Sequence, residues 1–253
     1  MEITRSFFIA TELMARLDPE FLRVVLLSLR VSLTAATIAF ALGMPVGAFL
    51  GITRLPGRTG ILVLANAALG LPPVVVGLVV YLILSRSGPL GSLGLLFTPG
   101  AMIVAQTVLA MPIVIALTHR IVEGLWVTYG DALNVDGASQ ARSIATLLAM
   151  GKSGLVTVFL SAFGRVVAEV GAILIVGGNI RGFTRTMTTA IALETSAGDL
   201  PFALALGLIL IFLSIGVSAA VFAVGRSRSS ETMPAGGFTE PQPERRERRV
   251  VRR

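Results

Sequence analysis

Cysteine is absent from the 253 residues, and histidine occurs once, at His119. The first absence excludes a disulfide framework and thiol chemistry. The second leaves too few imidazoles for a histidine metal cluster or a proton relay. Charge is also scarce: 14% of residues are Asp, Glu, Lys or Arg, against roughly 25% in a soluble domain. The first twenty residues lack the basic-then-apolar pattern of a signal peptide and carry Glu2, Glu12, Asp18 and Glu20 instead. What remains is apolar. Hydrophobic residues make up 54% of the chain, and the mean hydropathy is +0.85.

The apolar residues come in runs too long for a soluble core. A helix crossing ~30 Å of hydrocarbon needs about 20 of them. Residues 31–52, 61–84, 155–176 and 201–224 qualify, and 101–118 is shorter but uncharged. The expectation is an all-α polytopic membrane protein with five transmembrane helices. Residues 1–22 form an outer segment, 23–225 the membrane domain and 226–253 a basic tail. Within the first segment, residues 7–17 mix apolar and charged positions, as an interfacial helix would. The tail holds eight arginines against four glutamates and accounts for most of the net charge of +7. Because that excess is local, no nucleic-acid partner is expected. Residues 227–243 are rich in Pro, Gly, Ser and Thr and favour disorder. The arginines beyond them suit either a topology signal or anionic lipid headgroups.

Charge also orients the chain. With the N-terminus outside, the turn holding Arg54 and Arg58, the loop holding Arg120, Arg142 and Lys152, and the tail all face the cytoplasm. They hold most of the 21 basic residues, so the positive-inside rule favours N-out and C-in.

Three features mark the helix interiors. Gly43, Gly47 and Gly51 share one face of the first helix and suit close helix packing. Pro45, and Pro72 with Pro73, remove backbone donors and should bend their helices. Arg165 and Glu169 lie one turn apart inside the fourth apolar run, where ionisable residues are expensive and mark candidate polar paths. Gly171, Gly177, Gly178 and Asn179 follow, a pattern expected to dissolve the helix into a flexible outer end. One apparent motif is discarded: Gly151-Lys152-Ser153 lacks the earlier glycine of a phosphate-binding loop, Thr146 standing in its place. No nucleotide site is expected in this chain.

A polar, small-residue stretch, YGDALNVDGA at 129–138, is stranded between apolar runs. Its Asp131-Ala132-Leu133-x-x-x-Gly137 resembles the E-A-A-x-x-x-G motif of permease subunits of ATP-binding-cassette importers. Asp replaces Glu, and Leu replaces the second Ala. The family's later I-x-L-P corresponds to Leu147-x-Ala149-Met150 here. SLRVSL at 28–33 through GMPVG at 43–47 resembles the opening helix of these permeases, and LPPVVVGL at 71–78 their second. FGRVVAEVGA at 163–172 resembles the segment before the outer gate of molybdate and tungstate permeases. The stretch 176–195, continued through Gly198-Asp199, is similar to the tungstate-type branch.

The resemblance implies a type I importer-like permease fold. A cytoplasmic coupling helix at about 129–145 would dock on a separate ATPase through Asp131, Ala132, Leu133, Gly137 and Ala138, the small residues allowing close approach. It further implies a second copy of the chain, ATPase subunits that bind the ATP and magnesium, an extracytoplasmic oxyanion-binding protein, and no cofactor or enzymatic activity in this chain. Arg165, Glu169, Gly171, Gly177, Gly178, Asn179 and Thr188 are the candidates for the path and gate of tungstate. Molybdate or sulfate is the alternative cargo. A standalone secondary transporter would show an internal repeat, and none is evident.

Overall fold

A computed structural model describes residues 18–54 and 56–231, with side chains through Val224, together with Ile9 and Glu12. Apart from those two residues, the interfacial segment expected at 7–17 lies outside the described residues, as does most of the tail. The described part is helical.

Helix α1, Pro19–Ile52, starts where Asp18 accepts hydrogen bonds from the amides of Glu20 and Phe21, with Pro19 in the first turn. Helix α4, Pro99–Val135, starts the same way: Thr98 caps Gly100 and Pro99 follows. These two long helices form the centre of the molecule and run parallel. Gly43 faces Val114, Gly47 faces Thr118, and Gly51 faces Val122. At the other end of the seam, Gln106 reaches Ser32, and the Thr107 hydroxyl lies 3.4 Å from the Ala35 carbonyl. A side chain on Gly47 would begin 2.6 Å from the Ile115 carbonyl oxygen. The glycine stripe therefore serves helix packing, where lipid gives little hydrophobic drive and close backbone approach supplies the attraction.

The chain between them returns in two pieces, α2 (Arg58–Ala68) and α3 (Pro73–Leu84), set at 106° to one another. The expected bend at Pro72-Pro73 is thus a full break, because two successive residues lack the amide that a continuing helix needs. After α4, helices α5 (Gln140–Met150) and α6 (Lys152–Val167) meet at 77°. The fourth apolar run also breaks: α6 stops at Val167, and α7 occupies Gly171–Gly177. Helix α8 (Met187–Ala197) and helix α9 (Leu200–Glu231) complete the described chain. The last helix thus continues past residue 225, the expected boundary of the tail.

Helices α1, α4 and α9 are each long and apolar enough to cross a membrane, and counting each bent pair as one span gives up to five. Helix α9 packs on α6 and α8 through Ala205, Leu206 and Val217. Helix α3 packs on α7, with Gly77 against Ala172.

Candidate functional site

The charged pair sits at the break rather than inside a continuous helix. Arg165 is in the last turn of α6, and Glu169 lies just beyond it. Arg165 Nη1 donates to Glu169 Oε2 at 2.8 Å, so the i, i+4 pairing holds across the break. The two partners differ in burial. The Glu169 side chain is 5% exposed, whereas that of Arg165 is 39% exposed. The other carboxylate oxygen, Glu169 Oε1, accepts from the Ala172 amide and caps α7. Carbonyls freed by the break find partners too. Gln106 donates to Val166 O at 2.7 Å, and the Thr188 hydroxyl donates to Glu169 O at 2.7 Å. A buried break that keeps its backbone polar groups satisfied is what a membrane interior demands.

Gly171 places this break against the other one. A side chain there would begin 2.6 Å from Val74, the second residue of α3. Two interrupted helices therefore meet at one level, beside a guanidinium that is open on one side. Arg165, Glu169, Gly171 and Thr188 are brought together. Gly177, Gly178 and Asn179 stand at the far end of α7, about 10 Å on by helix rise.

That glycine-rich end is fastened, against the expectation of a flexible one. Gly178 and Asn179 take positive φ, 70° and 50°. A hydrogen bond from the Thr184 hydroxyl to Gly177 O at 2.6 Å, and one from the Ile180 amide to Thr184 Oγ1 at 2.9 Å, close the turn. Asn179 donates to Thr189 O, and the Met187 amide donates to Ser28 Oγ at 2.7 Å. Ser28 lies nine residues into α1, whereas Arg181 pairs with Glu20 at the start of that helix. The chain therefore dips along α1 between Arg181 and Met187, then climbs back through α8. Arg185 pairs with Glu194 at 2.8 Å across this dip. The sequence singles out Asn179 and Thr188 here but not the Arg181–Glu20 and Arg185–Glu194 pairs; the S/T-rich T-R-T-M-T-T at 184–189 carries the signal for the hydroxyl closures.

The coupling residues lie at the opposite end of the molecule. Residues 129–135 are not a loop but the last turns of α4, which has 37 residues and is about 55 Å long. Helix α1 ends beside Val122, so α4 projects roughly 20 Å further by helix rise. Helix α5 folds back along it, burying Leu147 beside Ile52, Val122 and Trp126. The short helix after the motif is thus 140–150, capped by Ser139, rather than 129–145.

Asp131, Ala132, Leu133, Gly137 and Ala138 form the tip of this hairpin. Gly137 has φ +67°, with nothing near the space a side chain would fill. Its amide bonds to Asn134 O, and that of Ala138 to Leu133 O, a Schellman closure. The glycine is therefore required by backbone conformation, not by crowding within this chain. Val127 and Val135, 82% and 86% exposed, are the most exposed of the large apolar residues here. A further cluster, with no motif in the sequence to mark it, joins α2 to α4. Arg58 Nη2 contacts His119 Nε2 at 2.8 Å and Glu123 Oε1 at 2.5 Å, while its Nε donates to Leu50 O. Arg120, expected in a loop, lies inside α4 and reaches Asn66.

Comparison with known proteins finds relatives that match most of the chain. The chain is 38% identical over 222 residues to the tungstate uptake system permease protein of Peptoclostridium acidaminophilum, covering 88% of this chain and 97% of that one. It is 42% identical over 197 residues to a probable anion ABC transporter permease protein of Haloferax volcanii, covering 76% and 85%. The molybdenum transport system permease protein of Escherichia coli is more distant, 29% identical over 192 residues, covering 72% and 83%. No family model matches the chain.

Proposed function

The chain belongs to the permease subunits of ATP-binding-cassette oxyanion uptake systems, on their tungstate-type branch, and from that premise we propose how its parts work. It is a multi-pass protein of the prokaryotic cytoplasmic membrane, a permease subunit that imports tungstate or a related oxyanion. The observation that carries this is 38% identity to a tungstate uptake permease over nearly the whole of both chains. Length and bend alone would pair α5 with α6. We instead assign α5 to the cytoplasmic hairpin and join α6 to α7. Then α1, α2 with α3, α4, α6 with α7, and α9 make five spans, N-out and C-in. The parallel run of α1 and α4 supports that alternation, because one span must return between them.

The working unit is a pair of these chains, bearing ATPase subunits on the cytoplasmic face and an oxyanion-binding protein outside. ATP and magnesium belong to the ATPase. The hairpin of α4 and α5 stands far enough from the membrane to reach that partner, and its exposed valines and Asp131 suit docking. ATP-driven closure of the ATPase pair would pull on the hairpin, and α4 would carry the movement along the seam with α1. The paired breaks at 69–72 and 168–170 supply the places where a span can change direction without unravelling. The Arg165 guanidinium there favours a dianion at the moment the path is open, and Glu169 neutralises it when the path is closed.

The test is copurification of the chain with an ATPase and a binding protein, followed by uptake into proteoliposomes. ATP-dependent tungstate uptake is expected, with molybdate and sulfate competing less well. Uptake without the ATPase would instead make this a secondary transporter, and stronger uptake of molybdate would reassign the cargo.

A further inference from the structure

A cleft of about 290 Å³ opens beside the first turns of α1, away from the charged break, and three arginines line it. Arg23 is exposed on α1 and makes no hydrogen bond or ion pair with the described residues. Arg181 spends Nε and one Nη on Glu20, leaving the other Nη free. Arg185 is the informative member. Its side chain is only 10% exposed, one Nη is held by Glu194, and its buried Nε has no partner. A buried guanidinium N–H without an acceptor is costly, and this one belongs to a residue that lines the cleft. Val24, Leu27 and Phe183 form the apolar walls. The carboxylates nearby are Glu20 and Glu194, each already engaged with an arginine, and Asp18 and Asp199, which line the adjoining cleft and accept from backbone amides. Three guanidinium groups against one lining carboxylate leave the cleft cationic.

We propose that this cleft is a receiving site for the tetrahedral oxyanion dianion, held by Arg23, Arg181 and Arg185 before it reaches the paired breaks. The assignment rests on the importer reading, which places this end of the molecule outside. The donor chemistry fits: fork-shaped, permanently charged donors bind planar or tetrahedral oxyanions through several N–H groups at once. From this cleft the chain runs on to Thr188, whose hydroxyl donates to the Glu169 carbonyl at the charged break.

The probe is sodium tungstate with the full-length chain in lipid. Crystals measured at a tungsten absorption edge are expected to show an anomalous peak between Arg23 and Arg185. Equilibrium dialysis of Arg23→Gln is expected to show roughly tenfold weaker binding, the loss of one charge-assisted donor group. Arg185→Gln tests the buried member, but its pairing with Glu194 makes folding the risk, so Arg23→Gln decides. Arg86→Gln, outside the cleft, should bind as the parent does. No peak in the cleft, or equal weakening by Arg86→Gln, overturns the site. In the assembled transporter, Arg23→Gln should raise the KM for tungstate and spare kcat, and an unchanged KM overturns the receiving role. A parent complex without any ATP-driven uptake defeats the importer reading instead, whatever the cleft binds.

Discussion

The two ends of this molecule are built on opposite terms. At the Pro19 end, the return from α7 to α8 is closed by threonine hydroxyls, Asn179 and two arginine–carboxylate pairs. At the other end, the hairpin of α4 and α5 leaves Val127, Asp131, Asn134 and Val135 exposed, and its turn at 136–138 is closed by backbone bonds. The fastened end is closed by its own side chains apart from the Arg185 Nε at its cleft, whereas the hairpin presents surface that only a partner would cover. The seam of α1 and α4 joins them, and its glycines permit little slippage, because knobs such as Val114 and Val122 sit directly over them.

Substituting glycine in the two regions should separate them most sharply. Gly47→Val in the seam meets the Ile115 carbonyl at 2.6 Å and Thr118 at 2.9 Å. It should cost ~3 kcal/mol or more, the upper end for overpacking, and abolish the monodisperse protein in detergent. Gly137→Val at the hairpin tip meets nothing. It pays only the left-handed backbone cost, about 1–2 kcal/mol confined to one turn. The protein should still purify, but ATP hydrolysis by the complex should no longer drive uptake. Tightly coupled transport by Gly137→Val would show that the tip does not carry the movement.

The charged break tests the path in the same spirit. Arg165→Ala leaves the nearly buried Glu169 carboxylate without its partner. It should cost about 1–3 kcal/mol, moderated by the exposure of Arg165. Uptake should fall further than the thermal midpoint predicts. Glu169→Gln added to Arg165→Ala removes the stranded charge and keeps an oxygen to cap Ala172. The double variant should therefore recover stability but not uptake. Recovery of both would reduce the pair to a structural role.

The hairpin surface gives a contrast of the other kind. Val127→Ser with Val135→Ser should leave the stability within ~0.5 kcal/mol, because both side chains already face outward. Affinity for the ATPase should drop about tenfold or more, as expected when apolar anchors leave an interface core. Unchanged affinity would move the docking surface elsewhere on the hairpin.

The legible parts of the fold were those written in composition and spacing. Long uncharged runs announced α1, α4 and α9, and the glycine period at 43, 47 and 51 announced the seam. Pro72-Pro73 announced the break before α3, though only as a bend. The break at 168–170 was not legible, since residues 155–176 read as one apolar run. It forms because side chains distant in sequence, Gln106 and Thr188, satisfy the freed carbonyls. The polar stretch at 129–138 read as a loop because its composition is loop-like. Tertiary packing of Leu133 and Trp126 under α5 keeps most of it helical. The role of Gly137 was half legible: its place in the motif was visible, but the left-handed closure that requires it was not.

The Arg58 cluster should give the smallest effect of all, and for a reason that bears on the comparison. Arg58 joins the end of α1, through the Leu50 carbonyl, to His119 and Glu123 on α4. It resembles the Arg165–Glu169 pair in chemistry but not in setting. There the carboxylate is buried, whereas here the Glu123 side chain is 43% exposed and Arg58 24% exposed. Water can solvate either partner when the other is removed. Glu123→Gln should therefore cost no more than ~1 kcal/mol. That loss should shrink as salt rises toward 1 M, where the screening length falls to about 3 Å. Thermal midpoints of Glu123→Gln and parent at low and high salt check this directly. A loss as large as that of Arg165→Ala, and indifferent to salt, would mean that this end is fastened as tightly as the other. Movement of the hairpin would then have to be transmitted through a rigid joint rather than absorbed at a soft one.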